Sequence, residues 1–278
     1  VMRRPILDSR GLIWFVNSHY EAPGLFCYNP ETDKLSVFHN FKNQDGSSLM
    51  VIQMRCVQED AYQNLWIGTN VGPLRLTTEQ MQNPSEAIFE QIKVPRNDGT
   101  NLADYLLAGV DISCMAIDGG GRKWFGNGAY LISADNMKQV QHFLSSNSKL
   151  LSNNIESIAI DDKTGEVFFG TDKGLCSYMG DATKPSDNPG GDDTYAYPNP
   201  VRPDYKGLIT VVGLAYNSDV KVVTTNGILV AQGTSNGGTF TWDGNDLNGK
   251  RVASGIYMVQ TADQEGNNGT VCKIAIVN

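Results

Sequence analysis

Short apolar runs alternate with polar turns over residues 1–179, and one pattern occurs four times. In residues 8–14, 60–66, 118–124 and 161–168, an aspartate opens a polar turn and an aromatic residue follows in a strand-like run. The aspartates lie 52, 58 and 43 residues apart, and the aromatic residue follows after six, six, six and seven positions. A repeat of this length with several short strands is typical of propeller blades. The pattern predicts about four blades of a partial β-propeller.

The repeated aromatic residues are interpreted as structural anchors of the blades. They are Trp14, Trp66, Trp124 and Phe168. Carbohydrate stacking is the alternative role, but a repeat protein buries the same anchor in every unit. The repeated aspartates are assigned to turns rather than to acid–base chemistry, because Asp side chains bond their own backbone there.

The repeat ends at Met179, and a different pattern follows. Residues 180–194 are rich in Gly, Pro and Asp, which is the composition of a linker. Residues 195–278 contain six or seven apolar runs separated by turn residues, and Asn226-Gly227 indicates a two-residue hairpin. The chain is therefore predicted to be all-β. The expected domains are propeller blades over 1–179, a linker over 180–194 and an immunoglobulin-like β-sandwich over 195–278.

Composition narrows the function classes. Hydrophobic residues make up 40% of the chain, which together with 29 Gly is normal for a globular protein. A net charge of −8 argues against a nucleic-acid partner. The longest apolar run, residues 208–216, is too short to span a bilayer, so no transmembrane segment is expected. Five cysteines are too few for a disulfide scaffold, and we expect them to pack as small apolar residues.

No arrangement of residues indicates catalysis, a metal site or a cofactor. His19, His39 and His142 occur singly, without a metal-binding partner at the usual spacing. Residues 119–121 lack the Lys and Ser/Thr of a phosphate loop, and residues 243–249 lack the EF-hand order of ligands. The chain is predicted not to be an enzyme, and its ligand-binding residues stay unassigned.

Two known families are similar to parts of this sequence. The run of residues 64–69, with its echoes at 123–126 and 167–171, resembles the two-component regulator propeller repeat. The final 80 or so residues resemble the type A C-terminal sorting domain of cargo exported by the Bacteroidetes type IX secretion system. The matching residues are Pro198, Asn199, Pro200, Asn226, Gly227, Trp242, Asp243, Gly244, Gly249, Gly255 and Tyr257. The hook-capping immunoglobulin-like domain shares two of these short sequences, Trp-Asp-Gly at 242–244 and Ser-Gly-Ile-Tyr at 254–257.

The combination of the two parts resembles a family of accessory proteins of that secretion machine. The resemblance implies a non-enzymatic protein retained at the cell surface, in the complex that attaches cargo to anionic lipopolysaccharide. Its implied partners are secretion-machinery proteins and lipopolysaccharide, and Arg3, Arg4, Arg122 and Lys123 are the local basic residues. Two alternatives stay open. One is an exported propeller enzyme or glycan-binding protein with a sorting domain, and the other is the periplasmic sensor propeller of a hybrid two-component system.

The repeat count itself creates an expectation about assembly. The family has two propellers, whereas this chain has room for about half of one. The fourth repeat stops at Tyr178 with three strands, and uncovered sheet faces and edges favour association. We therefore expect either the C-terminal part of a larger propeller, with an export signal further upstream, or a homodimer that joins two half-rings.

Overall fold

A computed structural model describes residues 2–19, 22–262 and 268–278 of the chain. The all-β prediction is confirmed: the described residues contain strands, one short 3₁₀ turn at Gln80–Gln82 and no α-helix. No helix in this described part has the length and apolar character needed to cross a membrane.

The first sixteen strands follow one another in short antiparallel sheets. Their bounds are β1 (Met2–Leu7), β2 (Ile13–Asn17), β3 (Gly24–Asn29), β4 (Lys34–Phe38), β5 (Met54–Glu59), β6 (Leu65–Thr69), β7 (Gly72–Leu76), β8 (Lys93–Pro95), β9 (Ala103–Tyr105), β10 (Met115–Ile117), β11 (Lys123–Phe125), β12 (Ala129–Ile132), β13 (Gln139–Phe143), β14 (Ile155–Ile160), β15 (Glu166–Thr171) and β16 (Gly174–Met179). Strands that are neighbours in the chain are neighbours in the sheet. The first sheet is β1-β2-β3-β4, the second β5-β6-β7, the third β10-β11-β12-β13 and the fourth β14-β15-β16, while β8 and β9 form a separate hairpin.

The seven remaining strands form two further sheets. They are β17 (Tyr195–Tyr197), β18 (Ile209–Val212), β19 (Asp219–Thr224), β20 (Leu229–Thr234), β21 (Phe240–Trp242), β22 (Gly255–Ala262) and β23 (Asn268–Ile276). The orders are β17-β18-β21 and β20-β19-β22-β23. Side chains from both sheets share one buried cluster, so the two sheets enclose a common core. The Asn226-Gly227 turn is longer than predicted, because Thr224 and Ile228 close a three-residue loop.

The chain divides into two compact units, each with its own core. The first unit comprises the described residues of Val1–Ile117, Gly121–Ala159 and Phe168–Ser177. The second comprises Asp118–Gly120, Ile160–Val167 and the described residues of Tyr178–Asn278. The division differs from the predicted one, because two short turns from the repeat region belong to the second unit.

The segment 180–194, predicted to be a linker, is part of the packed second unit. Ala182, Thr183 and Thr194 are buried. Thr183 forms a parallel bridge with Gly237, and its Oγ1 lies 2.6 Å from Oγ1 of Thr239. A Cβ atom on Gly119 would lie only 2.0 Å from the Thr183 carbonyl oxygen. The segment, whose composition predicted a linker, thus packs within the second unit.

Candidate functional site

The repeated aspartates and tryptophans form one hydrogen-bonded motif in the first two repeats. The Trp14 indole Nε1 donates to Asp8 Oδ2 at 2.8 Å, and Trp66 Nε1 donates to Asp60 Oδ2 at 2.9 Å. The Asp8 Oδ1 atom also accepts from the backbone N–H of Leu12 at 2.8 Å. One carboxylate therefore closes the turn and fixes the orientation of the indole. The sequence predicted the turn, but not the bond to tryptophan.

The Asp8 carboxylate is buried and charged. Burial acts to raise the pKa of Asp8, but hydrogen bonds from Leu12, Trp14 and Arg10 outweigh it, so the net pKa is lowered from its ordinary value. The Arg10 guanidinium also pairs with Asp8 Oδ2 at 2.6 Å. All the polar groups of this carboxylate are engaged in structure, which leaves none to act as a general acid or base.

The tryptophans contact the neighbouring sheets. The ring centres of Trp66 and Phe125, on the third sheet, lie 6.3 Å apart. Those of Trp124 and Phe169, on the fourth sheet, lie 5.5 Å apart. All three are at most 1% exposed: Trp14, Trp66 and Trp124. Their burial removes them as surface platforms for a carbohydrate.

Phe168 differs from the three tryptophans. Asp161 N–H bonds to the carbonyl of Glu166, a turn one residue longer than that between Asp8 and Leu12, which accounts for the seven-residue spacing. Phe168 is only half-buried, whereas its neighbours Val167 and Phe169 on the opposite face are buried. The aromatic residue that joins the fourth sheet to the third is therefore Phe169, and the assignment of Phe168 as an anchor is corrected accordingly.

The cysteines lie in packing positions and remain thiols. Cys56 pairs with Gly68 across strands β5 and β6, and a Cβ atom on Gly68 would lie 2.4 Å from the Cys56 sulfur. A Cβ atom on Gly126 would likewise lie 2.6 Å from the Cys114 sulfur, directly beside strands β10 and β11 of the third sheet. Burial, reinforced by the nearby Asp8, raises the pKa of Cys27 to about 11. A protonated, buried thiol is a poor nucleophile and a poor metal ligand.

Two of the four basic residues singled out for an anionic ligand, Arg122 and Lys123, are buried. Arg122 is 9% exposed and Lys123 is 5% exposed. Lys123 Nζ donates to the Ala134 carbonyl at 3.0 Å and lies 5.1 Å from the centre of the Trp66 ring. The side chains of Arg3 and Arg4 lie outside the described residues.

The residues that resemble the sorting domain, called the sorting-type residues below, support the core and turns of the second unit. Trp242 and Tyr257 are buried, with ring centres 5.7 Å apart. Trp242 Nε1 donates to the Asn245 carbonyl at 2.8 Å, and the Tyr257 hydroxyl donates to the Ala253 carbonyl at 2.8 Å. Each aromatic ring thus fixes a nearby turn, and Asp243 holds the same turn through Asn245 N–H.

The remaining sorting-type residues lie at chain reversals and strand ends. Asn199, between Pro198 and Pro200, donates to the Lys273 carbonyl at 2.8 Å and accepts from Ala275 N–H at 3.0 Å. Three glycines have positive φ, which other residues rarely adopt: Gly227 at 82°, Gly244 at 76° and Gly249 at 78°. Gly255 opens β22. Among the described residues no group of His, Cys, Asp or Glu could hold a metal ion.

Comparison with solved structures gives a match that covers the whole chain. The matching protein is a surface component of a bacterial secretion system. That protein is PorZ, an essential bacterial surface component of the type IX secretion system of Porphyromonas gingivalis; the TM-score is 0.64 and the sequence identity 26%. The match covers 100% of this chain and 39% of PorZ, so the chain spans well under half of that protein.

Two further structures are similar at a lower level. The extracellular domain of a hybrid two-component system from B. thetaiotaomicron has a TM-score of 0.45 and 13% identity, with 99% of this chain and 50% of that chain covered. Streptogramin B lyase has a TM-score of 0.37 and 10% identity, with 100% and 83% covered. Neither likeness supports a statement about this chain. No protein-family model matches the sequence, and no curated protein sequence matches it.

Proposed function

We propose that the chain is part of a non-enzymatic accessory protein of the type IX secretion machinery, exported and exposed at the cell surface. The observation that carries this proposal is the similarity to PorZ over the full length of the chain, with a TM-score of 0.64. In this proposal the first four sheets are consecutive blades of a β-propeller. The two sheets of the second unit are an immunoglobulin-like sandwich of the sorting type.

The hydrogen-bond network supports a role in binding rather than in chemistry. The Asp8 carboxylate is fully engaged by its own turn and by Trp14, and Cys27 is a buried thiol with a raised pKa. Asp8 and Cys27 thus serve turn formation and sheet packing. The proposed partners are secretion-machinery proteins and anionic lipopolysaccharide.

Charge sets a limit on the lipopolysaccharide arm of the proposal. The second unit carries eight Lys and Arg against fourteen Asp and Glu, a net charge of −6 out of −8 for the chain. An anionic glycan must therefore bind at a local basic site and against the overall field. Exposed charge pairs are strongly screened by salt, so the affinity should fall as ionic strength rises.

The experiment is a titration of the folded chain with purified anionic lipopolysaccharide at 20 and 300 mM NaCl. The expected result is binding at low salt that weakens at high salt. Absence of binding at low salt would remove lipopolysaccharide as the ligand and leave secretion-machinery proteins as the partners.

A further inference from the structure

The outer face of the sheet β17-β18-β21 carries an uncovered pair of aromatic rings. Tyr195 and Tyr197 point the same way, because strand residues two apart share a face, and they are 55% and 48% exposed. Their ring centres lie 6.1 Å apart with the planes tilted by 43°. Ala196 between them points inward and is buried in the core of the second unit. The two rings thus lie side by side on the surface of the sheet.

Hydroxyl groups continue this face across the sheet. Tyr197 is paired with Thr210, which is paired with Thr241 on the third strand, and Tyr195 is paired with Val212. All five face outward and none is charged. The face therefore combines two aromatic surfaces with a row of hydroxyls that can donate or accept hydrogen bonds.

The size and charge of this face select its occupant. Three strands about 4.8 Å apart, with three or four residues each at about 3.4 Å, give a face of about 150–200 Å². A stable protein–protein contact needs about 800 Å² on each partner, so a protein partner would have to extend far beyond this face. The uncharged face lies in a unit of net charge −6, which disfavours the charged part of a polyanion. Two or three neutral sugar rings match it in area, in charge and in hydroxyl groups.

We propose that Tyr195 and Tyr197 form a stacking platform for neutral sugar rings of a surface glycan. The C–H groups on one face of a sugar ring pack against the electron-rich face of tyrosine, which has the opposite partial charge. Thr210 and Thr241 then bind hydroxyl groups at the edges of the rings. This inference rests on the surface location in the proposed function, but not on lipopolysaccharide binding.

The test is a calorimetric titration of the 278-residue chain with maltohexaose, cellohexaose and mannohexaose, each at 20 and 500 mM NaCl. At least one hexasaccharide is expected to bind with an affinity that does not change with salt. This salt response separates the platform from the anionic site, whose binding is expected to weaken. Saturation-transfer NMR on the same mixtures should show contact between sugar protons and tyrosine ring protons.

Substitutions make the test specific. Tyr195→Ala and Tyr197→Ala should each weaken binding about tenfold or more, whereas Tyr197→Phe should retain most of it because the ring is kept. The matched control is Tyr62→Ala, which removes a 72% exposed tyrosine from the first unit and should leave binding unchanged. Flat titrations with all three hexasaccharides, as a platform for a protein would give, overturn the proposal. So does equal affinity in the wild type and in Tyr197→Ala.

Discussion

A single buried carboxylate organises the turn and the anchor of the first repeat. Asp8 is 4% exposed and accepts hydrogen bonds from Arg10, Leu12 and Trp14. The sequence predicted a turn at this position because Asp is a common turn residue. The bond to Trp14 could not be predicted, since a spacing of six residues does not reveal how the indole is oriented until the turn has formed.

We expect Asp8→Asn to lower the free energy of unfolding by about 1–3 kcal/mol. An amide offers one acceptor in place of two, so at least one buried donor loses its partner. Urea unfolding followed by tryptophan fluorescence measures the change. The control is Asp187→Asn at an exposed site, which should stay within about 0.5 kcal/mol of the wild type. Equal losses in the two variants would contradict this role of Asp8.

The stability of the chain should also depend on the protonation of His142. Its ring stacks on Tyr130 at 3.7 Å, and Nε2 is buried without a hydrogen-bond partner among the described residues. Burial lowers the pKa of His142 from its ordinary value of 6.5, so the folded chain holds this proton less tightly than the unfolded chain.

The contribution of neutral His142 to the free energy of unfolding is therefore complete above about pH 6.5, and it is lost as the pH falls below that value. The variant His142→Phe keeps a ring on Tyr130 but has no proton to bind. Free energies of unfolding measured from pH 7.5 to 5 should decline less in His142→Phe than in the wild type. Parallel pH profiles would show that His142 does not contribute.

At the level of the strands, pairs of small residues face each other where the first two strands of a sheet meet. Gly68 faces Cys56 in the second sheet, and Gly126 faces Cys114 directly beside strands β10 and β11 of the third. Cys56 and Cys114 each lie four residues before a repeated aspartate, Asp60 and Asp118, and this repeated spacing is thus a packing requirement. The sequence showed the repeat, but not which glycine each cysteine touches, because that depends on strand register.

Gly68→Ala should destabilise the chain by about 1–3 kcal/mol, as overpacking does. The new methyl would lie 2.4 Å from the Cys56 sulfur and 2.9 Å from Ile112 Cγ2. Removing the sulfur in the double variant Gly68→Ala/Cys56→Ala should cost less than the sum of the two single changes, because the two sites are in contact. The control is Gly255→Ala, whose methyl would have no neighbour nearer than 4.0 Å. Additive single changes would contradict the packing account.

The sequence was less informative where an element is irregular. The repeats predicted four sheets in the correct order, because their apolar and polar positions follow the strand period. The segment 180–194 was predicted to be a linker from its Gly, Pro and Asp content, and composition alone does not show whether such a segment packs against a domain. Thr183 shows the difference, because its bridge to Gly237 becomes visible only in the folded unit.

At the scale of the whole molecule, apolar groups on the first unit are left exposed at positions that are buried elsewhere. Leu25 follows the glycine of β3 and is 0% exposed, whereas Leu175 follows that of β16 and is 69% exposed. Phe15 and Phe26 stack at 5.2 Å on the first sheet and are only partly buried.

The homodimer stays a prediction. In analytical ultracentrifugation the homodimer should have twice the chain mass of 30.3 kDa. Leu175→Asp should shift the equilibrium to the monomer, because it places a charge on the apolar surface that the dimer would bury. The matched control is Leu247→Asp, since Leu247 of the second unit is 61% exposed. A single species near 30.3 kDa at micromolar concentration would contradict dimer formation.

A role in the type IX secretion machinery predicts a defect when the coding gene is deleted in the source bacterium. The measurement is the amount of a type IX cargo protein on intact cells, compared with the wild type and with a strain in which the gene is restored. We predict that surface cargo is lost on deletion and returns with the gene. Unchanged cargo on the surface of the deletion strain would contradict the claim.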